Sequence, residues 1–221
     1  MNEKLLKQCV AEFIGTFALI LVGVGAIHHL GDVPGGLLGI ALAHGLTIAV
    51  MVSATAAISG GHLNPAVTFG VWIGGKVDFK TLLNYWIAQL AGATAAGVLC
   101  VNLLGIAATA GGTPDLGKDF GAGRGIVVEA VLTFFLVFVV YGTAVDARAP
   151  KIGGLAIGLT VALDILFGGP LTGAAMNPAR TFGPALASGH WNNHLVYWLG
   201  PLLGGALAGV VYGRFLIKES K

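Results

Sequence analysis

The sequence predicts an all-α membrane protein in which six transmembrane helices and two half-helices form an inverted repeat. Three observations indicate this fold class. The composition is that of a membrane-spanning chain, the tripeptide Asn-Pro-Ala occurs twice, and residues around the two copies match along both halves of the chain.

The composition is typical of a chain that lies in a lipid bilayer. Hydrophobic residues make up 56% of the 221 residues and the mean hydropathy is +0.86, whereas charged residues reach only 10%, against about 25% in soluble domains. The 36 glycines suit transmembrane helices, where small residues let backbones approach closely. So few charges exclude a disordered or nucleic-acid-binding chain, and enzymatic activity has no support in the sequence. Cys9 and Cys100 lie in or beside apolar stretches and are expected to be unpaired thiols.

Six apolar segments are each interpreted as a crossing of about 30 Å of hydrocarbon. The fifth is short, because Gly168-Gly169-Pro170 marks the predicted end of its helix. Two further apolar stretches, after Pro65 and after Pro178, run for only about ten residues before glycine or polar residues stop them, and are predicted half-crossings. The six predicted crossings are Gln8–His28, Gly36–Ile58, Thr81–Leu104, Ile126–Thr143, Gly153–Phe167 and His194–Phe215.

Each Asn-Pro-Ala copy indicates the start of a helix. The asparagine caps free backbone donors, and proline tolerates the first helical position, where its missing N–H costs nothing. A helix start is polar and is expensive in hydrocarbon unless it lines a cavity. Two such starts in one membrane protein predict an aqueous path, so the chain is interpreted as a pore. The two copies are Asn64-Pro65-Ala66 and Asn177-Pro178-Ala179.

The two halves of the chain resemble each other. Glu12 matches Glu129, and Tyr85-Trp86 matches Tyr197-Trp198. Both halves have the order helix, helix, half-helix, helix. Because three crossings is an odd number, the second half must be inverted relative to the first, and such repeats place their functional site at the midplane where the broken helices meet. We predict one membrane channel domain, residues 1–221, with repeat halves of about 1–112 and 113–221.

Basic residues predict the orientation of the chain in the membrane. Of the 12 Lys and Arg residues, nine fall on one side, Lys118 and Arg124 fall in connections on the other, and Arg180 lies inside the second half-helix. The positive-inside rule therefore puts both termini in the cytoplasm, and a prokaryotic cytoplasmic membrane is the expected location. The nine are Lys4, Lys7, Lys76, Lys80, Arg148, Lys151, Arg214, Lys218 and Lys221.

These features resemble those of one family over essentially the whole chain. Two Asn-Pro-Ala boxes in a repeat of three plus three helices are similar to the major intrinsic protein family, the aquaporins and aquaglyceroporins. The resemblance implies a right-handed helix bundle and a homotetramer with one pore per subunit. It also implies passive flow of water or small neutral solutes across the lipid bilayer, with no cofactor, no metal and no covalent chemistry.

The boxes are expected to exclude protons. Two half-helices that meet tip to tip direct their positive dipole ends at the centre of the pore. Asn64 and Asn177 cap through oxygen, which leaves their NH₂ groups to donate to a passing water. Such a water accepts with its oxygen and cannot serve as both links of a proton wire, and the dipoles repel cations. We therefore expect water to pass and protons and ions to be excluded.

The resemblance assigns four residues to the constriction of the pore: His44, Ile165, Ala174 and Arg180. An arginine at membrane depth is costly and is a functional candidate; Arg180 would donate hydrogen bonds to the solute and oppose cations. Orthodox water channels carry an aromatic residue and a histidine where this chain has His44 and Ile165, and this combination resembles the tonoplast intrinsic branch known from plants. The alternatives are a snorkelling Arg180 and a purely structural His44.

The constriction is predicted to be wider and less selective for water than that of a strict water channel. Imidazole is smaller than a phenyl or indole ring, and Ile165 withdraws one hydrogen-bonding group. Ammonia, hydrogen peroxide, urea or glycerol are therefore expected to pass as well. Thr181 follows the arginine, where glycerol facilitators typically carry Asp, which argues against a dedicated glycerol channel.

Three acids lie within the predicted helices. In the family, glutamates at the positions of Glu12 and Glu129 hold the backbone of the half-helix loops, so we expect a structural role for both rather than a proton relay. Asp164 lies near the outer end of the fifth segment. It is expected to face the outer vestibule or to pair with a basic residue such as Lys118 or Arg124, with a gating or selectivity role as the alternative.

Two other functions remain open. A glycerol or small-solute facilitator would share the fold. A coupled secondary transporter also uses inverted repeats and broken helices, but it usually needs titratable or ion-coordinating groups at the midplane, where this chain offers the neutral Asn64 and Asn177.

Overall fold

The computed structural model describes residues 2–150 and 152–217, and within these ranges it consists of helices and connections without a strand. Six of the described helices are long and apolar enough to cross a membrane. The elements are α1 (Glu3–Leu30), α2 (Gly36–Ser59), α3 (Pro65–Ile73), α4 (Phe79–Leu104), α5 (Ile106–Gly111), α6 (Ala122–Val140), α7 (Gly153–Thr172), α8 (Pro178–Ser188) and α9 (Val196–Ala208). Wider π-type turns continue α6 over Tyr141–Val145 and α9 over Gly209–Leu216.

All six predicted crossings are present, but the predicted end of the fifth at Phe167 was wrong. Helix α7 continues to Thr172 with Pro170 inside it. Pro170 lacks an N–H and so removes one hydrogen bond in the last turn, while Gly173 N still donates to Gly169 O at 2.9 Å. Neighbouring groups in a transmembrane bundle tolerate such a loss.

Local sequence explains where several helices begin. Asn2 Oδ1 accepts a hydrogen bond from Leu5 N at 2.9 Å at the start of α1. Asp78 Oδ1 accepts one from Thr81 N at 2.7 Å at the start of α4. These side chains satisfy donors that have no partner within the first turn of a helix. Proline stands at the first position of both α3 and α8.

The two half-helices, α3 and α8, are exchanged between the halves of the bundle. Helix α3 packs on α9, and α8 packs on α4. Glycine permits these approaches: a Cβ atom at Gly70 would lie 2.6 Å from Gly205 O, and one at Gly97 would lie 2.5 Å from Gly183 O. Because backbone packing of this kind is a main source of helix association in a membrane, it fixes the position of each half-helix.

The outside of the bundle is apolar. Val50, Ile87 and Leu163, for example, are between 64% and 68% exposed. Such a surface is compatible with lipid and not with water. Of the basic residues that predict the orientation, Lys151, Lys218 and Lys221 lie outside the described residues.

Candidate functional site

The N-termini of α3 and α8 meet inside the bundle and are bonded to each other. Asn64 Nδ2 donates a hydrogen bond to Met176 O at 2.8 Å, and Asn177 Nδ2 donates one to Leu63 O at 3.0 Å. Each asparagine thereby fixes the loop that leads into the opposite half-helix. The two boxes, far apart in the chain, form one site.

The same asparagines cap their own helices. Asn64 Oδ1 accepts from Ala66 N at 2.8 Å, and Asn177 Oδ1 accepts from Ala179 N at 3.0 Å and from Arg180 N at 3.3 Å. The sequence predicted that these NH₂ groups, each with two hydrogens, would donate to a passing water. The structure leaves one on each asparagine, because an amide nitrogen has two hydrogens and the opposite loop takes one.

The loops that enter the half-helices have strained backbones. Leu63, Ala174 and Met176 have φ angles of 50°, 45° and 52°, a left-handed conformation that costs a residue with a side chain about 1–3 kcal/mol. This conformation presents successive backbone N–H groups to a buried glutamate. Glu129 Oε1 accepts from Ala175 N at 2.9 Å and from Thr172 Oγ1 at 2.6 Å, and its Oε2 accepts from Met176 N at 2.7 Å.

Glu12 makes an equivalent set of contacts in the first half. Its Oε1 accepts from His62 N at 2.9 Å and from Ser59 Oγ at 2.6 Å, and its Oε2 accepts from Leu63 N at 2.6 Å and Gln89 Nε2 at 2.8 Å. Both glutamates are fully buried. Charge-assisted hydrogen bonds of this kind offset the cost of burying a carboxylate. The structure places both acids against the half-helix loops.

A narrow cavity runs past the two asparagines. Its volume is about 30 Å³, room for about two water molecules, since one needs roughly 10–15 Å³. Asn64 and Asn177 line it, and so do all four residues assigned to the constriction. Most of its remaining wall is apolar, formed by Leu19, Ile48, Val52, Val67, Leu136, Val140, Ile157 and Val161.

The narrow cavity opens into a wider one of about 300 Å³, the outer cavity. His44, Ile165 and Arg180 line both cavities, whereas Thr113 and Asp115 line only the outer one. These three shared residues therefore stand where the path changes from wide to narrow, which is where a constriction acts.

The constriction offers the hydrogen-bond donors of Arg180, whereas Nε2 of His44 is buried beside Gly23. Arg180 is buried and its Nη1 donates to Gly112 O at 3.0 Å. His44 Nδ1 lies 2.9 Å from Ile40 O. A carbonyl only accepts, so Nδ1 carries the hydrogen and Nε2 of the neutral ring is an acceptor. That Nε2 has no partner among the described residues.

Three residues at the site were not predicted. His62 lines the narrow cavity, and its Nδ1 lies 3.1 Å from Thr68 Oγ1. Its place two residues before Asn64 could have indicated it. Gly112, whose carbonyl holds Arg180, and Asp115, in the wall of the outer cavity, lie in a connection. Nothing in the sequence pattern marks these two, because both contacts join distant segments.

Asp164 does not form the predicted ion pair. It is only 6% exposed, and among the described residues neither Lys118 nor Arg124 pairs with it. Arg124 lies over the Phe120 ring instead. The reason is the length of α7: because the helix continues to Thr172, Asp164 lies about two turns below its outer end. Its Oδ2 makes no hydrogen bond within the described structure.

Comparison with known proteins establishes the family. A family model described as Major intrinsic protein matches residues 1–212. The chain belongs to this family. It is 44% identical over 233 residues to "Probable aquaporin TIP3-2" of Arabidopsis thaliana, and the matched region covers 97% of this chain and 85% of the relative. It is 47% identical over 224 residues to "Aquaporin TIP4-4" of Zea mays, covering 96% and 88%.

A solved structure of the family has the same fold. The aquaglyceroporin from Plasmodium falciparum superposes with a TM-score of 0.84 at 25% identity, over 96% of this chain and 97% of that one. The predicted family, the tonoplast-type resemblance and the aquaporin fold are thereby confirmed. The chain is an integral multi-pass membrane channel and not an enzyme, and its aquaporin relatives imply the passage of water. Those relatives are plant proteins, so they do not support the expected prokaryotic membrane.

Proposed function

We propose that this protein is a passive channel that conducts water together with small neutral solutes and excludes protons and ions. One observation carries the proposal. The bonds from Asn64 Nδ2 to Met176 O and from Asn177 Nδ2 to Leu63 O hold two helix N-termini against each other beside one narrow cavity.

Proton exclusion would follow from the polarity of this junction. The positive dipole ends of α3 and α8 meet there, and each asparagine retains one N–H for a water in the cavity. A water between Asn64 and Asn177 accepts from both and turns its own hydrogens away along the path. Because neighbouring waters then point in opposite directions, a proton cannot be handed along the file. The same dipoles raise the energy of any cation.

The solute range would follow from the constriction. Arg180 donates, and the other residues that line the constriction are His44, the apolar Ile165 and the small Ala174. Ammonia, hydrogen peroxide and urea each carry an acceptor that can take a hydrogen bond from Arg180. We propose that these solutes pass with water, and that glycerol passes less readily because it is larger.

Stopped-flow light scattering on proteoliposomes tests this function directly. Water, urea, ammonia and glycerol are measured in parallel against empty liposomes of the same lipid. We expect large increases for water and ammonia, a smaller one for urea, and fluxes that rise linearly with the gradient. Water permeability equal to that of empty liposomes would contradict the proposal.

The second candidate is a glycerol or small-solute facilitator. The likeness to an aquaglyceroporin structure and the apolar Ile165 favour it. Glycerol flux that exceeds urea flux in the same vesicles would decide for it. A coupled secondary transporter, the third candidate, would show saturable uptake that depends on an ion gradient.

We further propose a homotetramer with one pore per chain, repeat halves of about 1–112 and 113–221, and both termini in the cytoplasm. The apolar outer surface supports association within the bilayer, and Lys76, Lys80, Arg148 and Arg214 lie in connections or near helix ends on the proposed cytoplasmic side. Chemical cross-linking in native membranes tests the assembly. Protease access to tags at either terminus in sealed vesicles tests the orientation.

A further inference from the structure

Asp115 joins two connections on the outer side of the bundle. It lies between α5 and α6, where its Oδ1 accepts from Leu116 N at 2.8 Å. The other three donors to its carboxylate come from the connection between α8 and α9: Asn193 Nδ2 at 2.8 Å, His190 Nε2 at 3.0 Å and Asn192 Nδ2 at 3.3 Å.

The segment that Asp115 anchors also holds the arginine of the constriction. Gly112, three residues earlier, accepts the hydrogen bond from Arg180 Nη1. On its other side the segment is tied to α7, because Gly117 N donates to Leu171 O at 2.9 Å. Residues 112–117 are thus held at Asp115 and at Gly117, and the carbonyl that accepts from Arg180 lies at the other end of the same segment.

We infer that Asp115 is a positioning residue for Arg180 and sets the width of the constriction without contacting the permeating solute there. This inference rests on the proposed channel function. The carboxylate holds the 112–117 segment in place, the segment holds the Gly112 carbonyl in place, and that carbonyl keeps the guanidinium against the wall of the cavity.

Loss of Asp115 has a predictable direction. Once the segment shifts, Arg180 loses its acceptor, and a buried donor without a partner is costly. His44 lines the same cavity. Without the bond to Gly112 the guanidinium leaves the wall of the cavity, enters the path and reduces the flow of water.

A double-mutant cycle tests the inference. Asp115→Ala, Arg180→Val and the double variant are reconstituted, and water permeability per incorporated protein is measured by stopped flow. Asp115→Ala is expected to lower water permeability about threefold or more, as residues coupled in one network do. In the Arg180→Val background the same change has no further effect, because there is no guanidinium to release. Asp115→Asn, which keeps one acceptor oxygen, is expected to lie between wild type and Asp115→Ala.

Asp32→Ala is the matched control. It removes an exposed carboxylate in another outer connection, between α1 and α2, and is expected to leave permeability unchanged. Wild-type behaviour of Asp115→Ala would overturn the inference. Equal losses in both Arg180 backgrounds would also overturn it, since Asp115 would then act on the fold and not through Arg180.

A structure of the Asp115→Ala variant separates this inference from the proposed function, because it needs no transport. We expect the distance between Arg180 Nη1 and Gly112 O to exceed a hydrogen bond in Asp115→Ala and to stay near 3.0 Å in Asp32→Ala. If Asp115→Ala retains the hydrogen bond from Arg180 to Gly112, Asp115 does not position Arg180, even if the channel conducts. Wild-type vesicles that conduct no water would contradict the proposed function but not the positioning of Arg180 by Asp115.

Discussion

Replacing Glu129 with Gln is expected to loosen the entrance to the second half-helix. The change keeps the size of the side chain but replaces one carboxylate oxygen with an NH₂ group. The best orientation of the amide lets its oxygen accept from Ala175 N and Thr172 Oγ1, the two donors now on Oε1. The NH₂ group then faces the N–H of Met176, which has no other acceptor among the described residues.

The magnitude follows from comparing hydrogen bonds with backbone strain. Three bonds to a carboxylate contribute roughly 1.5–3 kcal/mol each, against about 1–3 kcal/mol of strain at each of Ala174 and Met176. In Glu129→Gln, two neutral bonds contribute roughly 0.5–1.5 kcal/mol each, and the unpaired N–H costs about 1–3 kcal/mol. The net stabilisation from the glutamine side chain falls to about zero, so it no longer offsets the backbone strain. The loop then relaxes, and the hydrogen bond from Asn64 Nδ2 to Met176 O is lost.

The assay is stopped-flow water permeability of Glu129→Gln in proteoliposomes, normalised to incorporated protein. We expect a loss of about fivefold or more, together with a lower thermal midpoint in detergent. Glu3→Gln is the control, because Glu3 is 81% exposed and pairs with Lys7 at 2.7 Å on the surface, where such pairs contribute little. Glu129→Gln with wild-type permeability and stability would refute the bracing role of this glutamate.

Three further outcomes are expected. His44→Phe combined with Ile165→His should narrow the constriction and cut urea and ammonia flux more than water flux; equal losses would show that selection occurs elsewhere. Many aquaporins carry a cysteine at the position of Ala174, so mercurials should not block the wild type through the constriction, whereas Ala174→Cys should confer block. Strong inhibition that survives removal of Cys9 and Cys100 would contradict this expectation. Partial burial alone would raise the pKa of Asp115, but hydrogen bonds from Asn193, Leu116 N, His190 and Asn192 outweigh it and lower that pKa below 3.8. The carboxylate is therefore fully ionised, and its hydrogen bonds are complete, above pH 3.8. They are lost only as the pH falls through the lowered pKa. Wild type and Asp115→Asn should accordingly differ in water permeability by the same factor at pH 5 and pH 7.5, and a difference that disappears at pH 5 would count against an ionised Asp115.

The sequence predicted the fold well because its signals are local and obey membrane physics. Apolar segments of crossing length, and proline directly after a capping asparagine, identify helices and half-helices from neighbouring residues alone. The end of α7 was mispredicted for the same reason. Gly168-Gly169-Pro170 is a helix-ending signal in water, whereas in the bundle the last turn is packed: Thr172 is fully buried and its carbonyl accepts from Tyr197 Oη at 2.9 Å.

The site was predictable only where the residues themselves carry the chemistry. Asn64, Asn177 and Arg180 are polar groups at membrane depth, and such groups stand out in a sequence. Gly112 contacts Arg180 through its carbonyl, which every residue has, and three of the four donors to Asp115 lie more than 70 positions away. The error at Asp164 had a geometric cause, since its depth depends on where α7 ends.

Water and proton flux, measured in the same vesicles, test most directly whether the joined half-helix tips form a proton-excluding path. Proteoliposomes that enclose a pH-sensitive dye are exposed first to an osmotic gradient and then to a pH gradient with the membrane potential clamped. We expect water permeability far above that of empty liposomes and a proton leak equal to theirs. Proton conduction that rises together with water permeability as more protein is incorporated would contradict that expectation.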